Sequence, residues 1–164
     1  MLTSQTAVIK ESLRLGYGVP GKIPRYTPPT GATLCGHHIP PGVSVVAQNQ
    51  INTNFALQTV LSLSAYAHHQ SAVHFEDPST FHPERWLISD TTELDRCLIS
   101  FSRGSRACLG INLAYAELYL TFAHLCRRYD MRLEGVKESD MDWYDTFTVT
   151  TNGHLRLVFK EAEN

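Results

Sequence analysis

The longest regular segment of this sequence is an apolar stretch from Leu109 to Tyr129, and it constrains the fold more than any other feature. Its apolar residues recur at helical spacing and cover nearly the whole circumference of a helix. A helix that is apolar on all sides is normally buried. The sequence therefore predicts one long, buried helix in the C-terminal half of the chain.

Shorter patterns predict two further helices. The first is expected over residues 6–15, with Ser4 as its cap and Gly16 and Gly18 ending it. The second is expected within residues 59–69.

Two regions of the chain have the signals of small strands. The segment 19–42 is rich in Pro and Gly, and its β-prone pieces at 32–34 and 37–39 predict strands joined by tight turns. Near the C-terminus, alternating residues lie on both sides of Asn152–Gly153, a dipeptide that favours hairpin turns. The tail is therefore expected to form a β-hairpin around that pair.

Length and charge exclude several classes of protein. A chain of 164 residues is long enough for one domain with a core. Its net charge of −2 predicts neither a nucleic-acid-binding face nor a polybasic tail for a membrane. No apolar run reaches the roughly 18 residues of a membrane span, and no signal peptide precedes the first helix. The cysteines show no zinc spacing and indicate an intracellular protein with reduced thiols.

Cys108 is the most informative candidate for chemistry. It follows a turn rich in Gly and Arg and directly precedes the long helix, where the helix N-terminus and nearby cations favour a thiolate. Three interpretations are open: a buried structural thiol, a nucleophile, or an axial ligand of haem iron. No arginine follows the cysteine as a phosphate-binding loop requires, and no histidine signature of a protease is present. Haem ligation needs close-approach glycines and a cation for a propionate, which Gly104, Gly110 and Arg106 supply.

Glu11 and Arg14 are three residues apart and therefore share one face of the first helix. Such residues most often form an ion pair on the protein surface, which contributes little to stability. Their apolar neighbours on the helix favour a second interpretation, in which a third charge such as Arg85 completes a buried network.

The histidines at 68, 69 and 74 do not have the pattern of a metal site. Adjacent histidines on a helix point in different directions, and no carboxylate or cysteine stands at helical ligand spacing from them.

Three motifs together resemble the cytochrome P450 superfamily. Residues 101–110, FSRGSRACLG, match the haem-binding signature F-x-x-G-x-R-x-C-x-G at every fixed position. Residues 10–14, KESLR, match the E-x-x-R motif of the family's K helix, and residues 81–86, FHPERW, match its proline-rich meander. The motifs occur in family order across essentially the whole chain. The surrounding phrases resemble fungal enzymes of secondary metabolism, such as the trichodiene-oxygenase-like group.

The resemblance implies the C-terminal part of a cytochrome P450 fold, mainly α with small antiparallel β-sheets (α+β) and incomplete in this chain. Cys108 is implied to be the proximal ligand of haem b, with its thiolate favouring O–O cleavage. Further residues are implied to bind the cofactor: Phe101 beside the sulfur, Gly104 and Gly110 at the porphyrin, and Arg106 and Arg25 at the propionates.

The resemblance assigns structural and substrate roles as well. Glu11, Arg14 and Arg85 are implied to form the family's Glu-Arg-Arg triad, and Val19 and Pro20 to border the substrate pocket. The implied reaction inserts one oxygen atom of O₂ into an apolar small molecule, with electrons from NADPH-cytochrome P450 reductase. Nucleic acid is not an implied partner, and the parent enzyme is expected at the endoplasmic reticulum membrane.

Family members are about three times as long as this sequence, which begins almost at the K helix. The resemblance therefore implies that the chain, residues 1–164, is a partial domain. It would lack the N-terminal membrane anchor and the distal helix whose acid–alcohol pair delivers protons, so we expect no catalytic residue on this chain. The alternative to a monooxygenase portion is a truncated, non-catalytic fragment that retains only the proximal ligand loop.

A polar stretch at about residues 46–59 has no counterpart in the family pattern and is expected to be an insertion. We hypothesise that it is a translated intron. The alternative is a surface loop, since long loops are tolerated at small entropic cost.

Overall fold

The computed structural model describes residues 2–21, 23–41, 44–45 and 61–162. Within these ranges four α-helices and nine short strands follow one another along the chain. The helices are α1 (Leu2–Leu15), α2 (Ala65–His69), α3 (Thr92–Cys97) and α4 (Ile111–Arg128). The strands are β1 (Ile23–Tyr26), β2 (Ala32–Leu34), β3 (His37–Ile39), β4 (Ser44–Val45), β5 (Leu61–Leu63), β6 (Tyr129–Leu133), β7 (Trp143–Thr146), β8 (Thr148–Thr151) and β9 (Leu157–Glu161). Single 3₁₀ turns occur at Pro83–Trp86, Gly104–Arg106 and Glu138–Met141.

Helix α1 carries much of the buried surface. It begins at Leu2, so Ser4 lies inside the helix and the predicted cap at that residue is wrong. It ends at Leu15 as expected, where the N–H of Gly16 donates to the carbonyl of Ser12 at 2.7 Å. Its inward face packs on a small core of Ala7, Phe75 and Trp86, with α3 at the edge of that core. The core therefore joins the first helix to the proline-rich segment before α3.

Strand β1 is the centre of a three-stranded antiparallel sheet in the order β4-β1-β5. Arg25 of β1 pairs with Val45 on one side and with Leu61 on the other. The predicted strands at 32–34 and 37–39 are confirmed and form the separate β2–β3 hairpin. Its turn residues Cys35 and Gly36 have φ of 49° and 80°, a backbone conformation that suits two-residue hairpins.

The helix predicted within residues 59–69 is confirmed, but it is shorter than that range. Residues 61–63 form β5 instead, because they pair with residues 23–25 of β1. The helix is reduced to Ala65–His69, and Ser64 caps it by accepting a hydrogen bond from the N–H of Ala67 at 3.2 Å. Thr59 lies outside the described residues.

The predicted hairpin around Asn152–Gly153 is also wrong. The hairpin joins β7 to β8, with its turn at Phe147 between Thr146 and Thr148. Strand β9 pairs instead with the distant β6. The backbone at Gly153 lies close to Asp140, so this position needs glycine: a Cβ there would lie 2.6 Å from Cβ of Asp140.

The long helix forms where the sequence predicts it, but it is not buried. The structure describes all 18 residues of α4, and none of them is buried. Leu113 and Leu120 are 64% and 62% exposed. Contact with α1 is partly polar, through a 2.8 Å hydrogen bond from the Tyr119 hydroxyl to Oγ1 of Thr6. Among the described residues, α1 and β6 are the main elements that pack against α4, and they leave much of this apolar helix uncovered. No helix in the described ranges is long and apolar enough to cross a membrane.

Replacing Leu113 and Leu120 together with lysine is expected to reduce self-association of the chain. Exposed apolar patches promote association, whereas polar substitutions at exposed positions change stability little. Sedimentation velocity over a range of concentrations measures the effect, and urea unfolding checks stability. Glu117→Lys on the same helix is the control for added charge alone. Equal association of the double variant and the wild type would contradict the prediction.

Candidate functional site

The segment from Phe101 to Gly110 folds back on itself ahead of α4. The N–H of Cys108 donates to the carbonyl of Phe101 at 2.8 Å, and the N–H of Ala107 donates to the carbonyl of Gly104 at 3.1 Å. Gly104 starts the 3₁₀ turn at φ 78°, a conformation that suits glycine. These contacts fix the backbone that leads to the thiol.

Cys108 is exposed at the start of α4. A Cβ at Gly110 would lie 3.9 Å from its sulfur, and a Cβ at Gly104 would meet no atom within 4 Å. The neighbouring Leu109 is fully exposed. The interpretation of Cys108 as a buried structural thiol is therefore wrong, and the loop presents its sulfur beside open, partly apolar surface.

Two contacts hold the chain just before this loop, and neither was predicted from the sequence. The N–H of Ile99 donates to Nε2 of the buried His69 at 2.9 Å. The hydroxyl of Ser100 donates to the carbonyl of Leu13, in the last turn of α1, at 2.7 Å. Both pairs are distant in sequence, so no local pattern marks them. They tie the entry of the loop to α1 and α2.

Glu11, Arg14 and Arg85 are brought together in the interior. The Glu11 carboxylate accepts from Nη2 of Arg14 at 2.8 Å and from Nε of Arg85 at 3.2 Å. The side chains of Glu11 and Arg14 are both 0% exposed. The surface ion pair, one of the two sequence interpretations, is therefore wrong for these residues.

The network extends beyond its three charges. Glu11 also accepts from the N–H of His82 at 3.0 Å and from Nε1 of Trp86 at 2.8 Å. Arg14 donates to three backbone carbonyls, those of His69, Pro78 and Thr80. Trp86 belongs to the FHPERW motif, but no sequence pattern predicts its bond to Glu11. Through these bonds α1 fixes the path of residues 69–86.

Hydrogen bonding and burial shift two pKa values in this region. Burial raises the pKa of the Glu11 carboxyl, but hydrogen bonds from Arg14, the His82 N–H and Trp86 outweigh burial and leave the pKa below its usual value. Burial, together with the nearby charges of His68 and Arg14, lowers the pKa of His69 to about 4. The network is therefore ionised and His69 neutral near pH 7, which leaves Nε2 of His69 able to accept from Ile99.

The remaining predicted site residues lie on separate elements. Arg25 is half-buried in β1, and Arg106 is exposed at the end of the Gly104–Arg106 turn. Val19 is half-buried and Pro20 is buried in the segment between α1 and β1. The carbonyl of Pro20 accepts from the hydroxyl of Ser64 at 2.8 Å, which ties this segment to the start of α2.

Residues 1–156 match the sequence profile of the family described as Cytochrome P450. The chain therefore belongs to the cytochrome P450 family. It is 39% identical to cytochrome P450 monooxygenase asqL of Emericella nidulans over 152 residues, covering 93% of this chain and 28% of that protein. It is also 39% identical to cytochrome P450 monooxygenase macH of Penicillium terrestre over 162 residues, covering 97% of this chain and 29% of that protein. The chain thus spans less than a third of these fungal relatives.

Solved structures agree on the fold. A zebra fish cytochrome P450 with progesterone matches 98% of this chain and 32% of its own length, with a TM-score of 0.74 at 22% identity. A cyanobacterial cytochrome P450 with retinoic acid matches 98% of this chain and 33% of its own length, with a TM-score of 0.70 at 20% identity. The predicted fold class, mainly α with small antiparallel sheets and part of a cytochrome P450 fold, is confirmed.

The family implies a haem cofactor, and the ligand loop fits one. A thiol that binds haem iron must be within reach of a large planar group, and Cys108 is exposed. Space for that group requires small residues nearby, and the position of a Cβ at Gly104 is open. Exposed Leu109 adds apolar surface for a porphyrin face. Cys108, Gly104 and Gly110 are thus the residues suited to hold the group.

Proposed function

We propose that this chain is the C-terminal, proximal haem-binding portion of a haem-thiolate monooxygenase that uses haem b. The observation that carries the proposal is the exposed Cys108, held before α4 by the 2.8 Å hydrogen bond to the Phe101 carbonyl. A backbone fixed in this way places the cysteine for ligation and reduces the rearrangement needed on binding.

The residues of the loop have separate roles in this proposal. Cys108 would bind the haem iron through its thiolate, and Arg106 and Arg25 would pair with the propionates. Gly104 and Gly110 leave space for the porphyrin, because neither position has a side chain. Phe101 helps to hold the loop on α4, as its ring lies 5.4 Å from that of Tyr115.

The interior charges support the loop rather than react. Glu11, Arg14 and Arg85 fix α1 against residues 69–86, and α1 holds the loop through Leu13 and Ser100. Val19 and Pro20, which follow α1, are proposed to border the substrate.

When bound, the haem supplies the chemistry that activates O₂ and inserts one of its atoms into an apolar small molecule. We propose NADPH-cytochrome P450 reductase as the electron donor and the endoplasmic reticulum membrane as the location of the full-length protein. The proton-delivering acid–alcohol pair is not among the residues proposed for this chain.

A non-catalytic fragment is a second candidate function, and the exposure of α4 favours it. Leu113 and Leu120 are apolar yet largely open to solvent. A catalytic pocket must exclude water to control its chemistry, whereas these side chains beside the ligand loop are open to water. In this candidate the chain binds haem through Cys108, or not at all, without oxygenating a substrate.

We also propose that residues 1–164 form one partial domain with an insertion at about 46–59. The insertion lies outside the described residues.

Substituting Cys108 with alanine tests the main proposal. Purified chain given haemin is expected to show, after reduction and addition of CO, the Soret band characteristic of thiolate ligation, and Cys108→Ala is expected to lose it entirely. The loss follows because no other group replaces the sulfur on the iron. Cys126→Ala removes another exposed thiol and should keep the band. A thiolate band that survives in Cys108→Ala would overturn the assignment of the ligand.

The same sample separates the two candidate functions. Substrate oxidation by the haem-loaded chain with reductase and NADPH would support a catalytic portion. A thiolate band without any turnover would support the non-catalytic fragment.

A further inference from the structure

A cysteine and two histidines meet at the C-terminal end of α3, outside the residues used in the proposed haem site. Sγ of Cys97 lies 3.7 Å from Nδ1 of His74. The ring of His74 lies against that of His68, with 4.3 Å between their centroids and 33° between their planes. Nε2 of His68 lies 3.0 Å from the carbonyl of Cys97. Because a carbonyl only accepts, Nε2 of His68 carries the hydrogen in this bond.

Two histidines therefore position Cys97, one through its backbone and one through its sulfur. His68 fixes the backbone of Cys97, and His74 meets its sulfur. The ring contact between the two histidines keeps His74 in place although it is exposed. The arrangement is therefore a thiol with a positioned base, the combination that activates a cysteine as a nucleophile.

The cluster lacks the ligand set of a metal centre. Among the described residues, no three His, Cys, Asp or Glu side chains are grouped so as to hold an ion. The end of α3 does not account for reactivity either, since carbonyl groups at a helix C-terminus disfavour an anion. The group positioned to activate Cys97 by direct contact is His74.

Other charges near the cluster are engaged elsewhere. Arg103 donates to the carbonyl of Asp95 at 2.6 Å. Arg96 pairs with Glu93, also at 2.6 Å. The Asp95 carboxylate binds Lys10 of α1. His74 is thus the group that meets the sulfur directly.

We propose that Cys97 is a modification site, a thiol that exchanges with small disulfides with His74 as its base. In the exchange, the thiol proton passes to Nδ1 of His74 while Sγ attacks one sulfur of the disulfide R–S–S–R. The S–S bond of the reagent breaks, a bond forms between Sγ and S–R, and R–S⁻ leaves and takes up the proton. Sγ of Cys97 goes from the thiol to the disulfide oxidation level while the leaving sulfur goes from the disulfide to the thiol level, so no other oxidant is needed.

Site-resolved mass spectrometry with glutathione disulfide tests the proposal on the full chain. The initial modification rate at Cys97 is compared with that at Cys126 in the same sample, because Cys126 is the more exposed thiol. Cys97 is expected to react faster despite its lower exposure. In His74→Gln its rate relative to Cys126 is expected to fall by about tenfold or more, since a positioned base contributes at least that much.

Two controls make the result specific. The side chain of His82 lies near Glu84 and not at the sulfur. The substitution His82→Gln should therefore leave the rate ratio unchanged. In guanidinium chloride the ratio should approach one, because the cluster is lost with the fold. A native rate at Cys97 equal to or below that at Cys126 would overturn the proposal. The proposal would also be overturned if His74→Gln left the Cys97-to-Cys126 rate ratio unchanged, or if that ratio stayed above one in denaturant.

Discussion

Glu11→Ala is expected to lower the free energy of unfolding by about 3–5 kcal/mol, because it leaves buried positive charge without a partner. The carboxylate it removes accepts from Arg14, Arg85, Trp86 and the backbone of His82. Removing one side of a buried ion pair is far more destabilising than the net contribution of the pair itself. Urea unfolding followed by circular dichroism measures the change.

The chain contains a matched control for this substitution. Glu93 and Arg96 have the same three-residue spacing as Glu11 and Arg14, but their side chains are 79% and 66% exposed. Glu93→Ala is expected to change the free energy of unfolding by less than about 1 kcal/mol, as exposed pairs usually do. If both substitutions changed the free energy of unfolding by similar amounts, burial of Glu11 would not determine its contribution to stability. If Glu11→Ala is unfolded without urea, Glu11→Gln, which keeps the size of the side chain, supplies the measurable variant.

Lowering the pH from 7 to 5 is expected to destabilise the chain by about 2 kcal/mol through His69 alone. Its pKa is about 4 in the folded chain, below the value of 6.5 for an unperturbed histidine. The neutral form is therefore favoured by folding, and the contribution is fully present above pH 6.5. It falls as the pH drops towards 4, because the unfolded chain takes up the proton first. Once the pH is below 4, the whole contribution of His69 to the free energy of unfolding is lost, which amounts to about 3 kcal/mol at about 1.4 kcal/mol per pKa unit.

Urea unfolding at pH 7 and pH 5, for wild type and for His69→Gln, measures this contribution. Glutamine does not titrate, and its oxygen can accept from the N–H of Ile99 as Nε2 of His69 does. The variant should lose most of the pH dependence in this window. Some dependence should remain, since burial also lowers the pKa of His68. Glu11 contributes in a lower window, below its ordinary pKa of 4.5, as its pKa is lowered on folding. A variant with the same pH dependence as the wild type would contradict the assignment to His69.

Features set by neighbouring residues were predictable from the sequence. The end of α1 at Gly16 and the β2–β3 hairpin follow from glycine at positions where the chain must turn. The shared helix face of Glu11 and Arg14 follows from their spacing alone. The position of Cys108 directly before α4 follows from the long apolar pattern behind it.

Features that depend on distant parts of the chain were not predictable in this way. The bond from Trp86 to Glu11 spans 75 residues, and the bond from Ile99 to His69 spans 30. Asn152–Gly153 favours a turn locally, but residues 157–161 pair with β6 and the hairpin closes at Phe147. The apolar pattern of α4 predicts burial only where other elements are available to cover it.

The double pairing of Arg25 limits how the chain can be shortened. Val45 and Leu61 flank Arg25 on opposite sides. Because β1 lies between them, Val45 and Leu61 cannot be bonded neighbours, whose Cα atoms are only about 3.8 Å apart. A chain that joined Val45 directly to Leu61 would therefore keep only one of these two strands on β1. The other edge of β1 would then be open, so a connection of some length is needed for both strands to complete this sheet.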